Sequence, residues 1–479
     1  MPDVDLLLRN ADLIDGSGGP RRTADLAVAA GRIVAVGELG AVRARDVVDL
    51  QGLALAPGFV DVHTHDDRLA LTDRSMAPKV SQGVTSVVVG NCGISLAPLG
   101  RHASEPPLDL VTDEAGPHFD SFAAYFAAIE AAPPAANVAA LVGHTSLRVA
   151  TMRSVQRRAD ADEIERMQAR VREGLQAGAL GVSTGTYYAP AAAATAAEIA
   201  AVCEPLRGTN ALIASHIRDE GARVLDSMRE AVGIADSIGV RQVLSHHKVI
   251  GRANFGRSRE TLALLDELGA RSDVCADCYP YAASSTVLRR EAVAQAMRTL
   301  IAWSRTMPAA AGRYLDELAR EHGVHADAMI DRLQPAGAIY FSMDEADVER
   351  ILSHPRMMVG SDGLPHDAFP HPRLWGAFPR VLGHYARERG LFALETAVHK
   401  MTGLPAARFG LGDRGRLQAG FAADLVVFDP QRVRDAATFA QPICPAVGIE
   451  RVYVNGALTW LQREGTGARA GGVLRRAAS

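Results

Sequence analysis

Cysteine is scarce in this chain of 479 residues, with five in all. Five in so long a chain do not make a disulfide framework, and they fit a reducing cytoplasm. A basic surplus is missing too, since the net charge is −4. That argues against a nucleic-acid partner or a membrane-surface role. No continuous apolar run is long enough to cross a bilayer. The start, Met1-Pro2-Asp3-Val4-Asp5, is acidic and lacks the basic region and cleavage signal of a secretory leader. Internal repeats and long low-complexity segments are also absent. The remaining composition is ordinary for a globular protein, 48% hydrophobic and 22% charged. The length suits a barrel of roughly 250 to 400 residues with a smaller accessory domain.

Residues 1–57 read as short strands and tight turns with no helical period. The far end is similar: Ala423-Asp424-Leu425-Val426-Val427-Phe428-Asp429 is strand-like, and Glu450 to Gly456 closes on an Asn-Gly turn. The economical expectation is one small β-sandwich domain built from residues 1–57 and 410–479. Two independent β-domains are the alternative.

Between them, apolar runs alternate with helical stretches. The runs include 83–90, 139–144, 181–183, 211–216, 242–246, 274–279 and 357–362. Asp162 to Gly178 carries a helical pattern, with Asp160 or Asp162 as its cap. This rhythm predicts a parallel sheet with helices outside, closed into a (β/α)8 barrel over residues 58–409. Residues from about 288 to 344 interrupt it with largely helical sequence, expected as an insertion over the barrel mouth.

Polar groups with metal affinity then fall at the C-terminal ends of those runs: His63, His65, Cys92, His216, His246 and Asp362. Residues two apart in a strand share a face, so His63 and His65 point together. In a barrel all such ends converge on one mouth. One buried histidine there is commonplace, but six metal-capable groups at strand ends point to a metal site. His246 and His247 are adjacent and face opposite ways, so only one reaches the site. Cys275 and Cys278 have redox or zinc-pair spacing, but strand geometry turns their sulfurs apart, which makes them packing residues.

On these residues the chain resembles the amidohydrolase superfamily. The motifs are Gly58-Phe59-Val60-Asp61-Val62-His63-Thr64-His65, the histidines of Ser215-His216 and Ser245-His246, Gly360-Ser361-Asp362, and the returning segment Gly415 to Leu425. Within that superfamily it is most similar to the N-acyl-D-amino-acid deacylases, the D-aminoacylase branch. Gly90-Asn91-Cys92-Gly93, Ser183 to Tyr188, Ser215 to Glu220, Ser245-His246-His247-Lys248 and Cys278-Tyr279-Pro280-Tyr281 carry that likeness. Hydantoinase-like relatives bridge two metals with a carboxylated lysine on the fourth strand. Leu180-Gly181-Val182-Ser183 has no lysine, which disfavours hydrolysis of cyclic amides.

The resemblance implies a tightly bound zinc held by Cys92, His216 and His246, and a weaker second position at His63 and His65. It implies Asp362 as the carboxylate that takes a proton from water and passes it to the departing amine, with Tyr188 polarising the scissile carbonyl. Lys248, Tyr279 and Arg373 would receive the α-carboxylate of an N-acyl-D-amino acid. Each supplies a different donor, a point charge, a neutral hydroxyl and a bidentate fork. An acidic D-amino-acid side chain would need a cation at the insertion. Arg289 or Arg290 could serve, favouring N-acyl-D-glutamate; a basic N-terminal flank on a surface helix is the equal alternative. A non-catalytic member of the fold would be expected to lose ligands, and here every ligand position is filled.

Overall fold

The computed structural model describes residues 4–100, 106–112 and 115–477. Residues 1–3 of the acidic start lie outside the described residues. Eight parallel strand positions form the central structure: Phe59–Asp61, Val84–Val89, Asn137–Ala140 continued by Val142–Gly143, Gly181–Gly185, Leu212–His216, Arg241–Leu244, Val274–Cys278 and Met357–Val359. The third is split. Its first piece pairs with Val84–Val89 and its second with Gly181–Gly185. The last strand returns to the first through a parallel bridge between Thr64 and Gly363. His65 N donates to Gly363 O at 3.0 Å and Asp362 N to His63 O at 2.6 Å. The (β/α)8 barrel is therefore closed by the segments that carry His63, His65 and Asp362.

Every strand contributes to a packed interior: Val60 and Val62, Val88, Ala139 and Leu141, Leu180, Leu212 and Ala214, Val243, Cys275 and Met358. The opposite faces of the strands meet the helices in a second, larger core. Burial on both faces explains why the strands read as continuous apolar runs without alternation. Cys275 belongs to the inner core and Cys278 to the outer, so their sulfurs do diverge. The helix Ala161–Ala177 starts on a reciprocal capping box between Asp160 and Glu163 and stops at Gly178, whose φ is 107°.

Strands from both ends of the chain share one nine-stranded sheet. Leu425–Phe428 pairs antiparallel with Ala54–Pro57, which pairs parallel with Val4–Leu13. Its core gathers Leu8, Leu13, Leu26, Leu55, Leu425 and Val427. The final segment leaves this sheet and runs beside the barrel's third strand. There Val138 N donates to Gly472 O and Leu474 N to Val138 O.

The insertion is not largely helical, contrary to expectation. It is a three-stranded antiparallel sheet of Ser284–Val287, Arg298–Ser304 and Ala336–Phe341, with the helices Arg290–Gln295, Leu315–Glu321 and Ala326–Leu333. Leu300 and Ala302 pack on one side of the middle stretch and Ile301 on the other. A short run buried on both faces has no period that separates strand from helix. Among the described residues, no helix is long and apolar enough to cross a membrane.

Candidate metal centre and substrate cleft

The donors sit where the strands stop being strands. Cys92 has φ 55°, His246 35° and Asp362 48°. A left-handed backbone costs a side-chain-bearing residue roughly 1–3 kcal/mol and persists only where neighbours fix it. Here His246 N donates to Asp277 Oδ1 at 2.9 Å, and Asp362 N to His63 O. Each bend breaks the alternation of the strand and turns the side chain into the barrel mouth.

Two groups of ligating atoms result, and each lies mutually within 4.8 Å: Cys92, His216 and His246, and His63, His65, Cys92 and Asp362. All are buried. Cys92 Sγ is 3.3 Å from His246 Nε2 and 3.2 Å from His63 Nε2. His246 Nε2 is 2.9 Å from His216 Nδ1, and His65 Nε2 is 3.3 Å from Asp362 Oδ1. Tetrahedral zinc with nitrogen and sulfur ligands sets donors about 3.3–3.8 Å apart; the separations here are slightly tighter, and thiolate, imidazole and carboxylate are the donor types such an ion takes, with Cys92 common to both groups. Ser183 stands on the fourth strand, where Ser183 Oγ accepts from Gly93 N at 2.9 Å. No lysine occupies Gly181–Gly185.

The electrostatics suit these roles. Burial pushes the Cys92 thiol up, but His63 and His246 outweigh it and hold the group well below the usual thiol range. Burial likewise raises Asp362, yet Arg373 and the hydrogen bond from His65 keep it well below the usual carboxylate range. Asp362 is ionised and acceptor-only in this setting.

Beneath the mouth, Lys79 ties the barrel seam together. Its ammonium donates to Asp61 Oδ2 at 2.8 Å, Thr64 Oγ1 at 2.9 Å and Ser361 Oγ at 2.7 Å, with Asp66 at 3.4 Å. Asp61 also accepts from Ser361 N at 2.8 Å. One buried cation thus joins the residues flanking His63 and His65 to the residue preceding Asp362.

A cleft of ≈ 550 Å³ opens over this floor. His65, His216, His246, Asp362, Tyr188 and Lys248 line its polar end; Leu110, Ile250, Tyr340 and Leu364, with Gln295 and Ser342, line the rest. Tyr188 Oη is 3.0 Å from Thr286 Oγ1 on the insertion. Arg373 Nη2 donates to Ser285 O at 3.1 Å, and its guanidinium lies 4.4 Å from the Tyr279 ring centroid. Tyr279 Oη is buried without a hydrogen-bond partner among the described residues, and burial pushes its pKa up to about 12. His247 turns away to Thr261 Oγ1 at 2.8 Å, and burial lowers it to about 4.

The two insertion arginines part company. Arg289 stacks on Tyr187, 4.5 Å from the ring centroid, and donates to Tyr187 O at 3.2 Å. Tyr187 in turn stacks on His216 at 4.9 Å. Arg290 is not in the cleft, contrary to its candidacy as a side-chain reader. It opens the helix Arg290–Gln295, stands half exposed, and is ion-paired with Asp331 and Asp327.

Sequence reasoning gave no role to Glu220, Asp277 or Lys79. Glu220 Oε1 is 2.6 Å from Lys248 Nζ and 3.1 Å from His246 Nδ1. Asp277 Oδ1 lies 3.2 Å from His63 Nδ1. Glu220 had one usable signal, an acid four residues after His216 in a strand-end motif. Nothing local marks Lys79, which sits in the short helix Ala77–Val80.

A model of the amidohydrolase family matches residues 46–231 and 234–459. A D-aminoacylase of Alcaligenes xylosoxydans xylosoxydans is 54% identical over 476 residues, covering 99% of this chain and 98% of that protein. The structure of a D-aminoacylase with a binuclear metal center, subject to one-metal activation and second-metal attenuation, superposes with a TM-score of 0.96 at 52% identity. It covers 99% of this chain and 100% of its own. An N-acyl-D-glutamate deacylase from Bordetella bronchiseptica, in complex with zinc and a phosphonate mimic of the tetrahedral intermediate, gives 0.94 at 46% identity with the same coverage. With a closed barrel, a thiolate shared by two donor groups and likeness along nearly its whole length, this chain belongs to the amidohydrolase family, in its D-aminoacylase branch.

Proposed function

We propose that this chain is a zinc-dependent deacylase that hydrolyses N-acyl-D-amino acids to the free D-amino acid and a carboxylic acid. The observation that carries this is that His216, His246 and Asp362 line one cleft, with the buried Cys92 sulfur within 4.8 Å of the ligating atoms of all three. Cys92, His216 and His246 would hold the tighter zinc, and His63 and His65 a weaker second ion. When bound, zinc lowers the pKa of water and polarises an amide carbonyl. Asp362, held ionised by Arg373, would accept a proton from water and deliver it to the leaving amine. Tyr188 reaches the scissile carbonyl from the cleft wall. Lys248, Tyr279 and Arg373 form the basic corner that receives the α-carboxylate.

The side-chain end favours neutral substrates over acidic ones. Among the described residues, Lys248 is the lone lysine or arginine lining the cleft; Glu220 already pairs with it, and Arg373, set behind the lining, is paired with Asp362. Arg290 faces solvent and Arg289 is engaged with Tyr187. An acidic side chain would enter without a counter-charge and lose its hydration. Rates on N-acetyl-D-leucine and N-acetyl-D-glutamate, with N-acetyl-L-leucine as control, test this on zinc-loaded enzyme. Faster turnover of the leucine compound is expected; a preference for the glutamate compound refutes the side-chain argument, and no turnover of any D compound refutes the function.

A further inference from the structure

Of the triangle Lys248–Glu220–His246, Glu220 alone has no part in the chemistry above. We propose that Glu220 is a positioning residue of the metal centre, one carboxylate oxygen that fixes the tautomer of His246 in the Cys92 group.

His216 turns Nδ1 and His246 turns Nε2 toward each other, 2.9 Å apart, beside the Cys92 sulfur. A nitrogen that ligates a metal needs its lone pair, so each neutral ring must carry its proton on the other nitrogen. Those are His216 Nε2 and His246 Nδ1. Both face Glu220 Oε1, at 3.8 and 3.1 Å. His216 Nε2 is buried with no hydrogen-bond partner among the described residues, so the bond in reach of this carboxylate is the one from His246 Nδ1.

The alternative is built into the same spot. Lys248 Nζ lies 2.8 Å from His246 Nδ1. Ammonium has donors only. Were it to donate to Nδ1, the ring proton would sit on Nε2 and block ligation. Glu220 prevents this by accepting the ammonium at 2.6 Å, while His246 O accepts a second N–H at 3.0 Å. The imidazole then donates Nδ1–H to the same carboxylate. Carboxylate partners of ligating histidines are worth about 10- to 100-fold in metal affinity. Glu220 therefore links the ion to Lys248, and through it to the corner assigned above to the α-carboxylate. The inference rests on the zinc reading but not on the choice of substrate.

The test is zinc affinity, measured on purified protein by competition with a chromophoric chelator, so it needs no turnover. Glu220→Gln keeps the shape and should weaken zinc by about 10- to 100-fold. Lys248→Met should hold zinc as the parent does and raise KM instead. Because Glu220→Gln strands a buried ammonium and could misfold, the double variant Glu220→Gln/Lys248→Met removes both charges and should show the same weakened zinc. Parent-like affinity in a folded Glu220→Gln or double variant overturns the proposal. Weakened zinc without any turnover of N-acyl-D-amino acids by the parent upholds it and rejects the substrate reading instead.

Discussion

Arg373 Nη1 stands 2.8 Å from Asp362 Oδ2, with both side chains almost sealed from solvent. A guanidinium so placed keeps the carboxylate charged and aimed into the mouth. Asp362→Asn removes the proton carrier and changes the shape little. We expect kcat to fall by about 10²- to 10⁴-fold, with zinc at the Cys92 group retained. Steady-state kinetics with metal analysis on the same sample checks both halves.

Cys92 belongs to both donor groups, so its loss should affect both. Cys92→Ser puts a poor zinc ligand where a thiolate stood. Tightly held zinc should drop well below one per chain after dialysis, with circular dichroism unchanged. Full retention of zinc would show that the sulfur is a packing group.

Lys79 predicts a coupling between stability and the second metal position. Lys79→Met leaves Asp61 buried without its cation, a loss of about 3–5 kcal/mol for breaking a buried pair. Thermal inactivation should come markedly earlier. Metal titration should show the His63–His65 position weakened more than the Cys92–His216–His246 position, because only the former sits on the seam. Equal weakening of both would mean general loosening.

The Arg289–Tyr187–His216 stack makes a milder case. Removing a cation over an aromatic ring costs about 0.5–2 kcal/mol. Arg289→Met should raise KM severalfold through a looser cleft wall and leave zinc content alone. A shift in the ratio of D-glutamate to D-leucine substrates would instead return Arg289 to the role of side-chain reader.

A pH effect on stability is expected away from the metal site. Burial lowers Lys400 to about 8, while the unfolded amine titrates near the ordinary lysine value of 10.5. The unfolded chain then binds more protons between those values, so stability from this group rises as pH climbs from 8 to 10.5, by at most about 1.4 kcal/mol per unit. Lys400 Nζ donates to His354 O and Met357 O, at the start of the last barrel strand. Comparing unfolding midpoints of the parent and Lys400→Met across that window isolates the effect.

The barrel and its donors were legible because both leave local marks. Doubly buried strands read as apolar runs, and His63, Cys92, His216, His246 and Asp362 each end one. The insertion sheet was not legible, since Leu300, Ile301 and Ala302 are apolar on every side. Arg290 looked like a binding group because two arginines in a row carry no sign of direction; its partners Asp327 and Asp331 lie on another helix. Lys79 was hidden for the same reason, since Ser361 joins its acceptors Asp61 and Thr64 only when the first and last strands meet. The left-handed backbones of Cys92 and His246 left no trace in residue type.

The way the cylinder shuts also fixes an order of assembly. Cys92, His216 and His246 leave the ribosome long before Asp362. A nascent chain that stops short of the eighth strand owns every donor of the sulfur group, but neither the proton carrier nor the lock that aims it. The proton carrier thus arrives only with the segment that completes the wall.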